Sequence, residues 1–107
     1  MKTYDYNGFG KTYSLRLRKE QYTYNDNMAV LADCESEYGG WEPFANVTVN
    51  LDEKLPDGYG YVDTNNFRGV LEWIEENNIG TFTGIYRQSG FCKYPLVKFN
   101  EEVFENV

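Results

Sequence analysis

Three stretches of the chain alternate apolar and polar residues with a period of two. In Lys11–Arg18, KTYSLRLR, the side chains of Tyr13, Leu15 and Leu17 face one way and those of Thr12, Ser14, Arg16 and Arg18 the other. That is the pattern of a half-buried strand, because successive strand side chains point to opposite faces. MAVLADCESEY, Met28–Tyr38, repeats it: Met28, Val30, Ala32 and Cys34 form the apolar parity, while Asp33, Glu35 and Glu37 share the opposite one. Phe44–Leu51, FANVTVNL, is the third, with Ala45, Val47, Val49 and Leu51 expected inward and Asn46, Thr48 and Asn50 outward. Asn25-Asp26-Asn27 reads as a turn, and Gly39-Gly40 breaks the second strand. The short connections favour an antiparallel meander.

The period then changes. In Tyr61–Gly80, YVDTNNFRGVLEWIEENNIG, the residues Phe67, Val70, Leu71 and Ile74 recur at i, i+3, i+4 and i+7, one apolar stripe of a helix with Trp73 at its edge. Asp63, Thr64, Asn65 and Asn66 are candidate N-caps, and Gly80 is the expected stop after Asn77 and Asn78. Glu72, Glu75 and Glu76 fall on the far face, where Arg68 is placed to pair with Glu72. The preceding DEKLPDGYG reads as loop. Two short strands follow, Gly84–Arg87 and Tyr94–Phe99, with Pro95 marking a strand start or edge because it has no N–H to donate. The fold class is therefore α+β: an antiparallel sheet of about five to six strands with one amphipathic helix packed on one face. Residues 1–107 read as a single domain, and the acidic tail 101–107 is expected to fray or to form a turn of helix.

Composition narrows the chemistry. There is no histidine, which removes the usual general base, a Ser-His or Cys-His hydrolase, and any His-containing zinc site. Cys34 and Cys92 lack CxxC spacing and read as buried reduced thiols. No apolar leader and no apolar run of about 18 residues occurs, so the expected location is the cytoplasm. Aromatic residues make up 18% of the chain, ten of them tyrosine, more than a small core satisfies easily. Tyrosines want a dry ring and a paired or wet hydroxyl, so a rim or contact surface is expected. One candidate is a shallow groove bordered by Tyr59, Tyr61, Phe91 and Tyr94, with ordinary core packing as the alternative.

The formal net charge is −7, and it is polarised. Residues 1–24 carry five cations against two carboxylates, a net +3, and residues 25–107 carry five against fifteen, a net −10. Such a body attracts basic surfaces at low salt and disfavours direct nucleic-acid binding.

Three segments carry a resemblance: VTVNLDEKLPDGYGYVDTNNF, WIEENNIGTFTG and SGFCKYPLVKFN. Together they resemble a family of small domain-of-unknown-function proteins encoded on conjugative elements, plasmids and phages of Gram-positive and gut bacteria. The resemblance brings no catalytic residues; it implies a bacterial cytoplasm and a place among accessory genes that help an element survive entry.

Two function classes follow. In the first, a non-enzymatic protein occupies the nucleic-acid-binding surface of a host defence protein, in the manner of an anti-CRISPR or anti-restriction inhibitor. If the strand persists, Asp33 and Glu35, and again Glu35 and Glu37, are two strand rises apart, about 6.8 Å, comparable to the reach between phosphates along a nucleic-acid strand, whose axial rise is about 3.4 Å per nucleotide. Glu72, Glu75 and Glu76 and the tail acids Glu101, Glu102 and Glu105 would extend that phosphate-like surface. In the second, the protein is an interaction module of conjugation or plasmid-maintenance machinery that binds through Tyr59 and Tyr61. A carboxylate-based hydrolase has least support: Glu75 and Glu76 point about 100° apart on a helix, and the loop holding Asp52, Glu53 and Asp57 lacks EF-hand spacing. No metal or cofactor is expected. For Glu72, Glu75 and Glu76 a plain solvated helix face is the default reading, and they need no catalytic explanation.

Overall fold

The computed structural model describes residues 2–104. Within them the strands are β1 (Tyr4–Gly8), β2 (Lys11–Gln21), β3 (Met28–Glu35), β4 (Trp41–Asn46), β5 (Thr48–Val49), β6 (Tyr59–Val62), β7 (Gly80–Ser89) and β8 (Cys92–Phe99). One helix, α1 (Val70–Glu76), lies between β6 and β7, and a 3₁₀ turn, Glu101–Phe104, ends the described chain. The α+β class holds, but the single sheet of five to six strands is corrected. There are two antiparallel four-stranded sheets, ordered β1-β2-β3-β4 and β5-β6-β8-β7.

The division falls inside the expected strand Phe44–Leu51. Val47 donates its N–H to the Val30 carbonyl of the first sheet, and its own carbonyl accepts the Asp63 N–H beside the second. Val47 and Thr48 are both buried, so the alternation breaks where the chain changes sheets. Thr48, expected outward, instead accepts the Val30 N–H at 3.0 Å and shares a hydrogen bond with the Tyr22 hydroxyl at 2.9 Å. A threonine at this corner supplies the bond that an interrupted ladder leaves open.

The helix is shorter than its apolar period suggests. Gly69 sits at φ 70°, a left-handed conformation that ends any helix begun at Asp63, so α1 starts only at Val70. The segment before it is a capped turn: Asp63 accepts the Asn66 N–H through its side chain and the Phe67 N–H through its carbonyl. Gly80 is not the stop. Asn78, at φ 55°, takes the left-handed position, and the Asn78 and Ile79 N–H groups return to Glu75 and Ile74 in a Schellman closure. Gly80 instead opens β7, where an added Cβ would lie 2.8 Å from Val97 and 2.9 Å from the Lys98 carbonyl.

The main core lies between the sheets and α1. It joins Leu15 and Leu17 of β2, Val30 and Ala32 of β3, Val70 and Ile74 of α1, and Val97 and Phe99 of β8. Leu51, Tyr61 and Leu96 form a second cluster on the other face of the second sheet. β6 is a correction: Tyr59 and Gly60, expected as loop, and Tyr61 and Val62, expected as the lead-in to the helix, form a strand that burial on both faces leaves without alternation. Pro95 does fall at an edge: the β6–β8 ladder reaches only Leu96, so beyond it β8 pairs with β7 alone.

The Thr48 corner is testable. Thr48→Val keeps the shape but strands the Val30 N–H and the Tyr22 hydroxyl, and should lower unfolding free energy by about 1–3 kcal/mol in urea denaturation.

Candidate functional site

Asp33 is the first of the expected partner-binding carboxylates, and the structure buries it. Its residue is 3% exposed although it lies on the outer face of the first sheet. β2 and β3 place Arg16 directly opposite Asp33, with Arg18 one pleat further on the same face. Arg16 Nε donates to Asp33 Oδ2 at 3.2 Å; Arg18 donates to the same oxygen at 2.7 Å and to Oδ1 at 3.1 Å. Arg18 also reaches Glu20, and Arg16 stacks 4.7 Å over the Trp41 ring. Burial by itself would raise the Asp33 pKa, but the hydrogen bonds and charges of Arg18 and Arg16 outweigh it and hold the carboxyl below its usual range. Asp33 therefore serves the sheet and presents no free charge. The Asp33–Glu35–Glu37 stripe is corrected on a second count as well, because β3 stops at Glu35 and Glu37 lies exposed in the Ser36–Gly40 turn.

The other acids gather around an element that the pattern did not reveal. β1 carries Asp5 on the first sheet's outer face, between half-buried Tyr4 and buried Tyr6. The Trp73 indole N–H donates to the Asp5 carbonyl at 2.8 Å, and the Tyr6 hydroxyl donates to the Arg68 carbonyl at 2.6 Å. Tyr6, Phe67 and Trp73 pack as one aromatic cluster, with Tyr6–Phe67 centroids 4.9 Å apart and Phe67–Trp73 stacked at 5.7 Å. These contacts fasten α1 beside β1. As a result Asp5, Glu72 and Glu76 line one shallow depression of about 190 Å³ with Asn7 and Asn77.

From Asp5 the acidic run continues across the sheet. Asp5 pairs with Ser14, and the β2–β3 ladder at Leu15↔Cys34 leaves Glu35 as the next outward residue beyond Ser14. Asp5 and Glu35 are thus two strand spacings apart, about 10 Å. Glu76, Glu72, Asp5 and Glu35 form an exposed belt with Glu37 beyond its end, and none of the five belongs to an ion pair among the described residues. Arg68 lines the depression, without the expected pairing to Glu72 because it precedes the helix, and the Arg16–Arg18 pair bounds the belt on the sheet. Glu75 is exposed on α1 but does not line the depression. Of the tail acids, Glu101 pairs with Lys19 at 2.9 Å, Glu102 is exposed, and Glu105 lies outside the described residues.

A model of a domain of unknown function, DUF4313, matches residues 16–106. The chain belongs to the DUF4313 family. No curated protein and no solved structure matches it. The DUF4313 region contains the helix acids and Glu35, whereas β1 and Asp5 precede it.

Within the DUF4313 region core packing, the alternative to the candidate tyrosine groove, is what Tyr59, Tyr61 and Tyr94 adopt. Tyr61 is 4% exposed and donates its hydroxyl to Glu53 at 2.7 Å, where Arg87 also binds at 3.0 Å. Burial, and then Glu53, raises the Tyr61 pKa. Tyr59 and Tyr94 pack half-buried on the same cluster, while Phe91 stands fully exposed at the β7–β8 turn. Cys34 and Cys92 are both free and half-buried. Burial and the neighbouring Glu42 raise the Cys34 pKa, which keeps it a thiol. No group of three or more His, Cys, Asp or Glu side chains is arranged to hold a metal, and no helix is long and apolar enough to cross a membrane, among the described residues.

Asp33 yields a signed prediction. A carboxyl whose folded pKa is depressed contributes stability that is complete above its unfolded pKa, about 3.9, and lost as pH falls through the folded value. Asp33→Asn should cost about 1–3 kcal/mol at neutral pH, the half-exposed arginines keeping the figure modest. The wild-type advantage should shrink below about pH 4. Urea titrations at stepped pH measure both effects.

Proposed function

We propose that this protein is a non-enzymatic, cytoplasmic inhibitor carried by a bacterial mobile element, and that it binds a basic, nucleic-acid-handling surface on a host defence protein. The observation that carries the reading is the belt of Glu76, Glu72, Asp5 and Glu35, whose carboxylates are exposed and outside every ion pair among the described residues. Unpaired surface carboxylates steer basic partners and weaken with salt, whereas paired ones such as Asp33 contribute little field. The partner class, a CRISPR effector or a restriction enzyme, rests on the mobile-element setting implied by the sequence resemblance and on the basic channels such enzymes use for nucleic acid. In this reading contact spans the edge of β1 rather than the length of β3.

A second reading, an interaction module of conjugation or plasmid-maintenance machinery, is favoured by the aromatic turn tips. Phe9 is 84% and Tyr38 91% exposed, in turns at the same end of the first sheet. Phe9 also holds φ 52°, a conformation that glycine adopts more easily.

Purified CRISPR effectors and restriction enzymes, passed over the immobilised chain at low and high salt, test the first reading. Binding should appear at low salt, compete with DNA, and lose roughly tenfold or more in association rate when Asp5, Glu35, Glu72 and Glu76 are changed together to lysine. No association with any of these enzymes at low salt contradicts it. Binding that ignores salt but fails in Phe9→Ser or Tyr38→Ser selects the second.

A further inference from the structure

A sheet edge is a row of unpaired N–H and C=O groups, and proteins blunt such edges with covers, prolines, charges or brevity. Three of the four edges here are blunted. β1 is backed by α1, whose Trp73 takes the Asp5 carbonyl. β4 contains Pro43, which has no N–H, and its ladder is bulged opposite Ala32 and Asp33. β5 is two residues long. β7 is ten residues long and lies at the outer edge of the second sheet.

α1 packs near the start of β7, and an irregularity between Phe82 and Tyr86, with Gly84 at φ 87°, separates that start from the remainder. The open stretch is Ile85–Ser89, where Ile85 and Tyr86 are each 54% exposed. Its single charge, Arg87, is already tied to Glu53 at 3.0 Å. No proline and no carboxylate occurs anywhere in β7, in a chain of net charge −7. Two copies of so acidic a protein repel each other through most surfaces. β7 brings no carboxylate of its own to such a meeting, and the one beside it, Glu53, is already paired with Arg87.

We propose that the outer edge of β7 pairs antiparallel with β7 of a second copy of this chain, joining two four-stranded sheets into one of eight. A two-fold axis at Tyr86 overlaps Ile85–Arg87 of the two copies. It puts the Tyr86 ring against its symmetry mate, sets Ile85 opposite Arg87, and keeps the two arginines off the axis, with Gln88 and Ser89 running on beside the irregular segment before Ile85. Aromatic and aliphatic cross-strand neighbours stabilise such a ladder, and an isologous pairing closes without leaving a new edge. The inference stands on the sheet edge and is independent of the acidic belt.

Sedimentation velocity on the full chain, from micromolar to near-millimolar concentration, should show a monomer–dimer equilibrium that Ile85→Lys with Tyr86→Lys abolishes while the circular dichroism spectrum is retained. Should that double variant misfold, Tyr86→Cys in a Cys34→Ser, Cys92→Ser background should form a disulfide-linked dimer on oxidation. A chain that is monomeric throughout, a dimer indifferent to the two lysines, or a Tyr86→Cys protein that does not cross-link each overturns the proposal.

Discussion

The arrangement of charge on this protein depends on how α1 is held against β1. Tyr6, Phe67 and Trp73 are each no more than 6% exposed, and they interlock across the junction of the first sheet and the helix. Burying such rings supplies several kcal/mol, and edge-to-face geometry adds to it. The polar atoms set the position. Trp73 has a single N–H, and it is satisfied by the carbonyl of Asp5; the Tyr6 hydroxyl is satisfied by the carbonyl of Arg68. Since a buried donor without a partner costs about 1–3 kcal/mol, other placements of the helix along β1 are disfavoured. Glu72 and Glu76 are thereby brought beside Asp5.

The same chemistry has two outcomes on the first sheet's outer face. Asp33 and Asp5 are both outward-facing aspartates on neighbouring parts of one surface. Asp33 meets two arginines from the facing strand and becomes part of a packed network with Trp41. Asp5 meets Ser14 and keeps its charge for solvent or a partner. Register decides the difference. A shift of β2 by one residue would turn Arg16 and Arg18 inward and Leu15 and Leu17 outward, which the apolar core forbids. Core packing therefore determines which carboxylates stay available.

Alternation was a sound guide in β2, whose outer face stays half-exposed, and it gave the right parity in β3 because the outward Asp33 is polar even though arginines bury it; the turn at Asn25–Asn27 follows directly from its side chains. It failed where burial is two-sided or where the chain changes sheets. Tyr59–Val62 is buried on both faces and carries no period, and Val47-Thr48 breaks the period because both residues point into protein. The helix stripe was genuine in its packing but not in its length, since a single glycine at φ 70° outweighs four well-spaced apolar residues. Of the candidate site, the exposure of Glu35, Glu37, Glu72, Glu75 and Glu76 was legible. The pairing of Asp33 depended on a strand register that no local pattern encodes, although LRLR beside an alternating acidic strand hinted at it. Tyr59 and Tyr61 were assigned to a surface because tyrosine suits rims, yet Glu53 and Arg87 give the Tyr61 hydroxyl a partner inside a satellite core. Asp5 escaped notice because YDYNG is short and its apolar positions are tyrosines.

The central claim is a division of labour among carboxylates: Asp33 is masked by arginines, while Asp5, Glu35, Glu72 and Glu76 stand open. Carbodiimide-driven amidation of the folded chain, followed by peptide mass spectrometry, reads this division without any partner. The belt residues should be modified early and together, and Asp33 only under conditions that unfold the protein. Modification of Asp33 as fast as Glu35, or protection of Asp5 and Glu72 in the folded chain, would contradict the account.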